Sequence, residues 1–155
     1  MSFRLTGLDR VRFAPYFAMT DDELARAGAR RCVVDRRPGS PDRVELRDLE
    51  VGEHAILLNY EHQPARTPFR ASHAIYLGEQ STRAFDAIDV IPEMLRLRPL
   101  SLRAFDTGHL LSDAVLVDGR EAAPALARLL GDERTAYVHL HFAGPGCYAA
   151  RAERA

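Results

Sequence analysis

Ala136-Tyr137-Val138-His139-Leu140-His141-Phe142, then Gly144-Pro145-Gly146, then Cys147-Tyr148-Ala149-Ala150-Arg151-Ala152 is the stretch whose reading decides the fold. Two runs that suit a pleated, half-buried surface flank a Gly-Pro-Gly break, and this predicts an antiparallel hairpin. Working outward, most neighbouring segments are also strand-like and follow one another without an intervening helix. Leu100–Phe105 alternates, with Leu100, Leu102 and Ala104 on one face and Ser101, Arg103 and Phe105 on the other. Ala114–Val117, Ser72–Leu77, the dense apolar run His54–Tyr60, Arg43–Arg47, Cys32–Val34 and Phe3–Leu8 read as further strands. Helices are fewer. Thr20-Asp21-Asp22-Glu23 is a capping box that predicts a short helix from about Asp21 to Ala27, closed by Gly28. Pro92–Arg96 is one helical turn, and Arg120–Leu130 carries an apolar stripe of Ala122, Ala123, Leu126, Leu129 and Leu130. The fold class that follows is α+β: a mainly antiparallel sheet with one or two helices packed on it, and not a doubly wound parallel fold.

The 155 residues are one domain's worth of chain, with no repeat and no long linker, so residues 1–155 read as a single domain. Charge is balanced, 21 basic against 22 acidic residues for a net of −1, which argues against a nucleic-acid partner. Seven arginines crowd the first third (Arg26, Arg30, Arg31, Arg36, Arg37, Arg43 and Arg47), and they read as a mixed, solvated face. No apolar run approaches the ~20 residues of a spanning helix, and the amino terminus lacks the apolar core of a signal peptide, so no membrane association is expected. Cys32 and Cys147 make neither a disulfide framework nor a zinc cluster; free thiols in a reducing cytoplasm are the expectation. All the basic residues are Arg. With no Lys in the chain there is no Schiff-base or P-loop chemistry, and an anion has to be held by guanidinium forks or backbone amides.

Three features could carry chemistry. His139 and His141 are two apart on a strand, so both imidazoles share one face and could share a metal, a substrate oxygen or a proton. Two such residues lack a third ligand nearby in sequence; His62, His73, Glu61 or Cys147 would have to arrive from elsewhere, and no metal or cofactor is assigned from sequence. The segment from Asn59 to Arg70 is the densest polar stretch and is stiffened by Pro64 and Pro68. In it Glu61 and His62 are acid/base candidates, and Arg66 and Arg70 could hold an anion. Ser72 and His73 are adjacent and point to opposite faces, so they make no nucleophile pair. Cys147 is the candidate reactive thiol. A four-residue hairpin loop sets it opposite Phe142 and in the core, away from the histidines; a three-residue loop would put it beside them. The apolar run of Leu140, Phe142 and Ala149 favours the core position.

The run from Asn59 to Arg70 with Ser72-His73-Ala74-Ile75, the segment Leu100–Asp106, and Gly146-Cys147-Tyr148-Ala149-Ala150-Arg151 together resemble domain-of-unknown-function family 1203, a bacterial family. The resemblance covers nearly the whole chain. It implies a compact, single-domain bacterial protein and brings no activity, cofactor or substrate. Two positions depart from the family pattern: Asp42 stands where a Cys is usual, and Phe142 where an Asn is usual.

The leading reading is a cytoplasmic α+β domain that binds a small anionic ligand. Glu61, His62, Arg70 and Arg103 are expected around one concavity, with His139 or His141 on its wall, and both arginines buried. One alternative is an enzyme, either a metal-assisted hydrolase or a thiol enzyme using Cys147 with a histidine; a third group arriving in space, such as His62 within ~4 Å of His139 or His141, would favour it. The other is a protein–protein interaction module without a small-molecule site, for which a homodimer through an exposed sheet edge is the expected form.

Overall fold

The computed structural model describes all of residues 1–155. In chain order, β1 (Phe3–Thr6) leads into a 3-10 turn (Arg10–Phe13), α1 (Ala14–Ala18) and α2 (Asp21–Arg26). Next come β2 (Arg30–Val33), β3 (His54–Gln63), β4 (Ala71–Gly78), β5 (Asp86–Ile88) and α3 (Glu93–Arg96). The chain ends with β6 (Pro99–Phe105), β7 (Leu111–Asp118), α4 (Ala122–Gly131), β8 (Tyr137–Phe142) and β9 (Tyr148–Arg154). Every ladder between named strands is antiparallel, as strand order without crossover helices requires. No helix is long and apolar enough to cross a membrane.

The strands form two sheets, not the one expected. The larger has six strands in the order β5-β1-β9-β8-β6-β7, and the smaller has three in the order β2-β3-β4. Alternation along β6 and β8 gives the larger sheet two different faces. Leu100, Leu102, Ala104, Val138, Leu140 and Phe142 join Ala122, Leu126, Leu129 and Leu130 of α4 in the main apolar cluster. The opposite face carries Arg103 and the two histidines of β8. The smaller sheet covers part of this second face. Ile56 and Leu58 of β3 and Ile75 and Leu77 of β4 pack with Phe13, Leu24, Val44 and Tyr148 in a second apolar cluster. Tyr148 belongs to β9, so it is the residue through which the larger sheet enters that cluster.

Segment 43–47 is not a strand. Pro41 and Asp48 make an isolated bridge, and Leu46 adopts a left-handed φ of 53°. The cause is Asp42. Its carboxylate accepts from the backbone N–H groups of Val44 (3.2 Å) and Glu45 (2.8 Å), which curls the chain into a turn that competes with any ladder. The same carboxylate accepts from the Gly78 N–H (2.9 Å) and the Ser81 hydroxyl (2.7 Å), tying the turn to the end of β4. Gly7 presses on this turn: a Cβ there would stand 2.1 Å from the Val44 carbonyl oxygen, so only glycine fits. The alternation of Val44 and Leu46 that resembled a half-exposed strand instead buries both residues in the turn.

The arginine-rich first third is also not simply a solvated face. Arg31 pairs with Asp21 and Glu79, and Arg47 pairs with Glu45 and Glu53. Arg43 is 1% exposed. It donates to the carbonyls of Tyr148 (2.8 Å) and Pro41 (2.5 Å) and to Cys147 Sγ (3.1 Å). Burial lowers its affinity for its proton.

Candidate functional site: a histidine cluster between two sheets

Across the second face of the larger sheet, one row of paired residues runs Thr6, Arg151, His139, Arg103 through β1, β9, β8 and β6. His139 therefore has a guanidinium on either side. The row beyond it pairs Ser101 with His141 and His141 with Tyr148. His62 comes from the smaller sheet. The β3–β4 register shifts between Tyr60 and Gln63, and this irregularity sits where His62 meets the histidines of β8. The ring centroids of His62 lie 4.8 Å from His141 and 6.0 Å from His139, and one ring nitrogen of each of the three lies within 4.8 Å of the others.

The cluster is dry. His62, His139 and His141 are 9%, 3% and 1% exposed. Tyr148 stacks on His62 at 5.6 Å and meets both β8 imidazoles edge-on. Burial is the main cause that pushes the three imidazoles down to about 4, 3 and 3 for His62, His139 and His141. The Arg103 charge adds to it in all three cases. All three are neutral at pH 7. His141 Nδ1 lies 3.0 Å from the Gly146 carbonyl oxygen, which can only accept, so Nδ1 carries the proton. His62 Nδ1, His139 Nδ1 and His141 Nε2 are the buried side-chain polar atoms that have no hydrogen-bond partner.

A cleft of about 380 Å³ opens on the cluster, lined by Arg12, Glu61, His62, His139, Tyr148 and Arg151 among others. A neighbouring hollow of about 270 Å³ shares His62, His139 and Arg151. It adds Gln63, His109 and Tyr137. The Tyr137 hydroxyl accepts from Gln63 Nε2 at 2.8 Å and lies 2.8 Å from His109 Nδ1.

Glu61, His62 and His139 share the cleft, while His141 stands behind His62 and lines neither hollow. Glu61 and Arg70 pair with each other at 3.0 Å on the surface, their side chains 42% and 58% exposed. The expected burial of Arg70 is therefore not found: Glu61 neighbours His62 on a strand and faces outward, and Arg70 follows it. Arg103 is partly buried, lines neither hollow, and donates only to the Ser101 hydroxyl at 3.2 Å; it has no partner in Asp106. Cys147 is far from this chemistry. The Phe142 N–H donates to the Cys147 carbonyl, the four-residue loop, and its thiol sits in the main apolar cluster against Arg43. Arg12, Tyr148 and Arg151 join the site without having been read from the sequence. For Arg151 the register was hidden: an unbroken four-residue-loop hairpin sets Ala150 opposite His139, and the shift between Leu140 and His141 brings Arg151 there instead.

The fold is an antiparallel α+β one in which three imidazoles converge between two sheets. The family is specific: residues 39–154 match the model of the protein of unknown function family DUF1203, and the chain belongs to that family. Neither a curated protein nor a solved structure matches the chain.

Proposed function

We propose that the chain binds a small anionic ligand at the histidine face of its larger sheet. The observation that supports this is Arg103. A partly buried guanidinium normally meets a carboxylate, as Arg31, Arg47 and Arg98 do here. Arg103 donates to one neutral hydroxyl, pairs across the sheet with His139 and meets no carboxylate. Burial already costs it some of its hold on its proton, and an incoming anion would restore the balance. Arg12, which bonds Tyr60 and no carboxylate, lines the cleft itself and adds a positive charge there.

Titration calorimetry of chelator-treated protein with inorganic phosphate and with acetate tests the reading. Saturable binding of one of them, weakened at least ~10-fold by Arg103→Met with the circular dichroism unchanged, is the expected result. No saturable heat with either anion, or equal affinity in the variant, would overturn it. The enzyme reading gains from one observation, the arrival of His62 beside His139 and His141, and its chemistry would be metal-assisted hydrolysis of such an anion. A thiol enzyme pairing Cys147 with a histidine lacks that support, because Sγ bonds Arg43 and no histidine.

A further inference from the structure

We infer that His62, His139 and His141 form a binding site for a divalent transition metal, with a fourth position open to the cleft. The inference starts from the unpartnered nitrogens. A buried polar atom without a partner costs about 1–3 kcal/mol, and this protein places three of them in one cluster. If the rings only filled space, Phe or Leu would fill it without that penalty. A metal ion held by one nitrogen from each of these converging rings would give such atoms a partner.

The donors fit the ion in number, type and state. Three imidazoles with no thiol and no carboxylate suit zinc, cobalt, nickel, copper or iron and disfavour calcium and magnesium. The Gly146 carbonyl fixes the His141 tautomer with the proton on Nδ1 and the lone pair on Nε2, the second-neighbour hydrogen bond common behind metal-ligating histidines.

Distance is the demanding criterion. Nitrogens around a tetrahedral zinc at ~2.0–2.1 Å stand about 3.4 Å apart. Here the outer separation is 4.8 Å. Three atoms at that spacing surround a centre about 2.8 Å away, so each must close by ~0.7 Å, which side-chain rotation supplies. Arg103 and Arg151 beside His139 oppose a bare cation. Their presence favours a bound hydroxide or anion in the fourth position, so the metal and the anion of the preceding reading would reinforce each other. The metal inference does not rest on that reading, because the orphaned nitrogens exist without any anion.

The test loads chelator-treated full-length protein with cobalt(II) or zinc(II) in a buffer free of phosphate and carboxylate. The expected result is about one metal per chain, strong visible bands of low-coordinate cobalt(II), and a raised melting temperature. His62→Ala should weaken binding at least ~100-fold and abolish the cobalt bands while keeping the wild-type circular dichroism. If that variant fails to fold, His141→Gln provides the same readout with a polar side chain kept in place. Substoichiometric metal in the wild type, or one metal per chain in folded variants with unchanged spectra, overturns the inference. Metal binding without phosphate or acetate binding would refute only the anion reading, and the reverse pattern would refute only the metal.

Discussion

Asp42→Ala is predicted to be among the most costly single changes in this chain. The carboxylate is fully buried and accepts four hydrogen bonds, from the Val44 and Glu45 amides, the Gly78 amide and the Ser81 hydroxyl. Alanine removes every acceptor. The donors of Val44, Gly78 and Ser81 lie in the interior, and each orphaned donor costs about 1–3 kcal/mol. The low end of that range for these three, plus about 1 kcal/mol for the half-buried Glu45 amide, gives about 4 kcal/mol. The neighbouring Arg43 guanidinium also loses a nearby negative charge, which adds to the cost. Urea unfolding followed by far-ultraviolet circular dichroism measures this directly. With a slope of about 2 kcal/mol/M the midpoint should fall by roughly 2 M. Asp42→Asn keeps one oxygen and the shape, and should lose about half as much. Asp113→Ala, whose carboxylate meets Arg128 on the surface at 3.2 Å, is the control and should change stability by less than ~1 kcal/mol. A midpoint shift under ~0.5 M for Asp42→Ala would show that water reaches the four donors and that the turn is not held as described.

Two further predictions concern titration and thiols. In chelator-treated protein, the unfolded chain takes up protons on His62, His139 and His141 near pH 6.5, whereas the folded chain does so only near 4, 3 and 3. Stability is therefore fully present above pH 6.5 and falls as pH drops towards those values, by about 1 kcal/mol per histidine between pH 7 and 5.5. Flat urea midpoints over that interval would contradict the burial of the cluster. Both cysteines are free; Cys32 is partly exposed and Cys147 buried against Arg43, so a neutral-pH thiol reagent should label Cys32 first. Faster labelling of Cys147, read by peptide mass spectrometry, would contradict its placement.

Local patterns carried much of this fold in the sequence. The Gly-Pro-Gly hairpin, the faces of β6 and the Thr20 capping box all appear where period and turn chemistry put them. The turn at 41–49 did not, because Val44 and Leu46 alternate like a strand while the deciding force, the Asp42 carboxylate, acts on their backbone. The division into two sheets was equally hidden: strand patterns show which face is apolar and not which sheet a strand joins. For the site, period two put His139 and His141 on one face. The approach of His62 depends on how the smaller sheet docks and on the irregularity at Tyr60–Gln63, and neither leaves a mark in the local sequence.

The histidine cluster is divided between two pieces of chain that are distant in sequence. A β8–β9 hairpin standing alone holds two imidazoles, and a β3–β4 hairpin holds one of the three. Neither half is the site. The triad is a property of docked sheets, and any partial opening that lifts β3 from β8 dismantles it while leaving both hairpins paired.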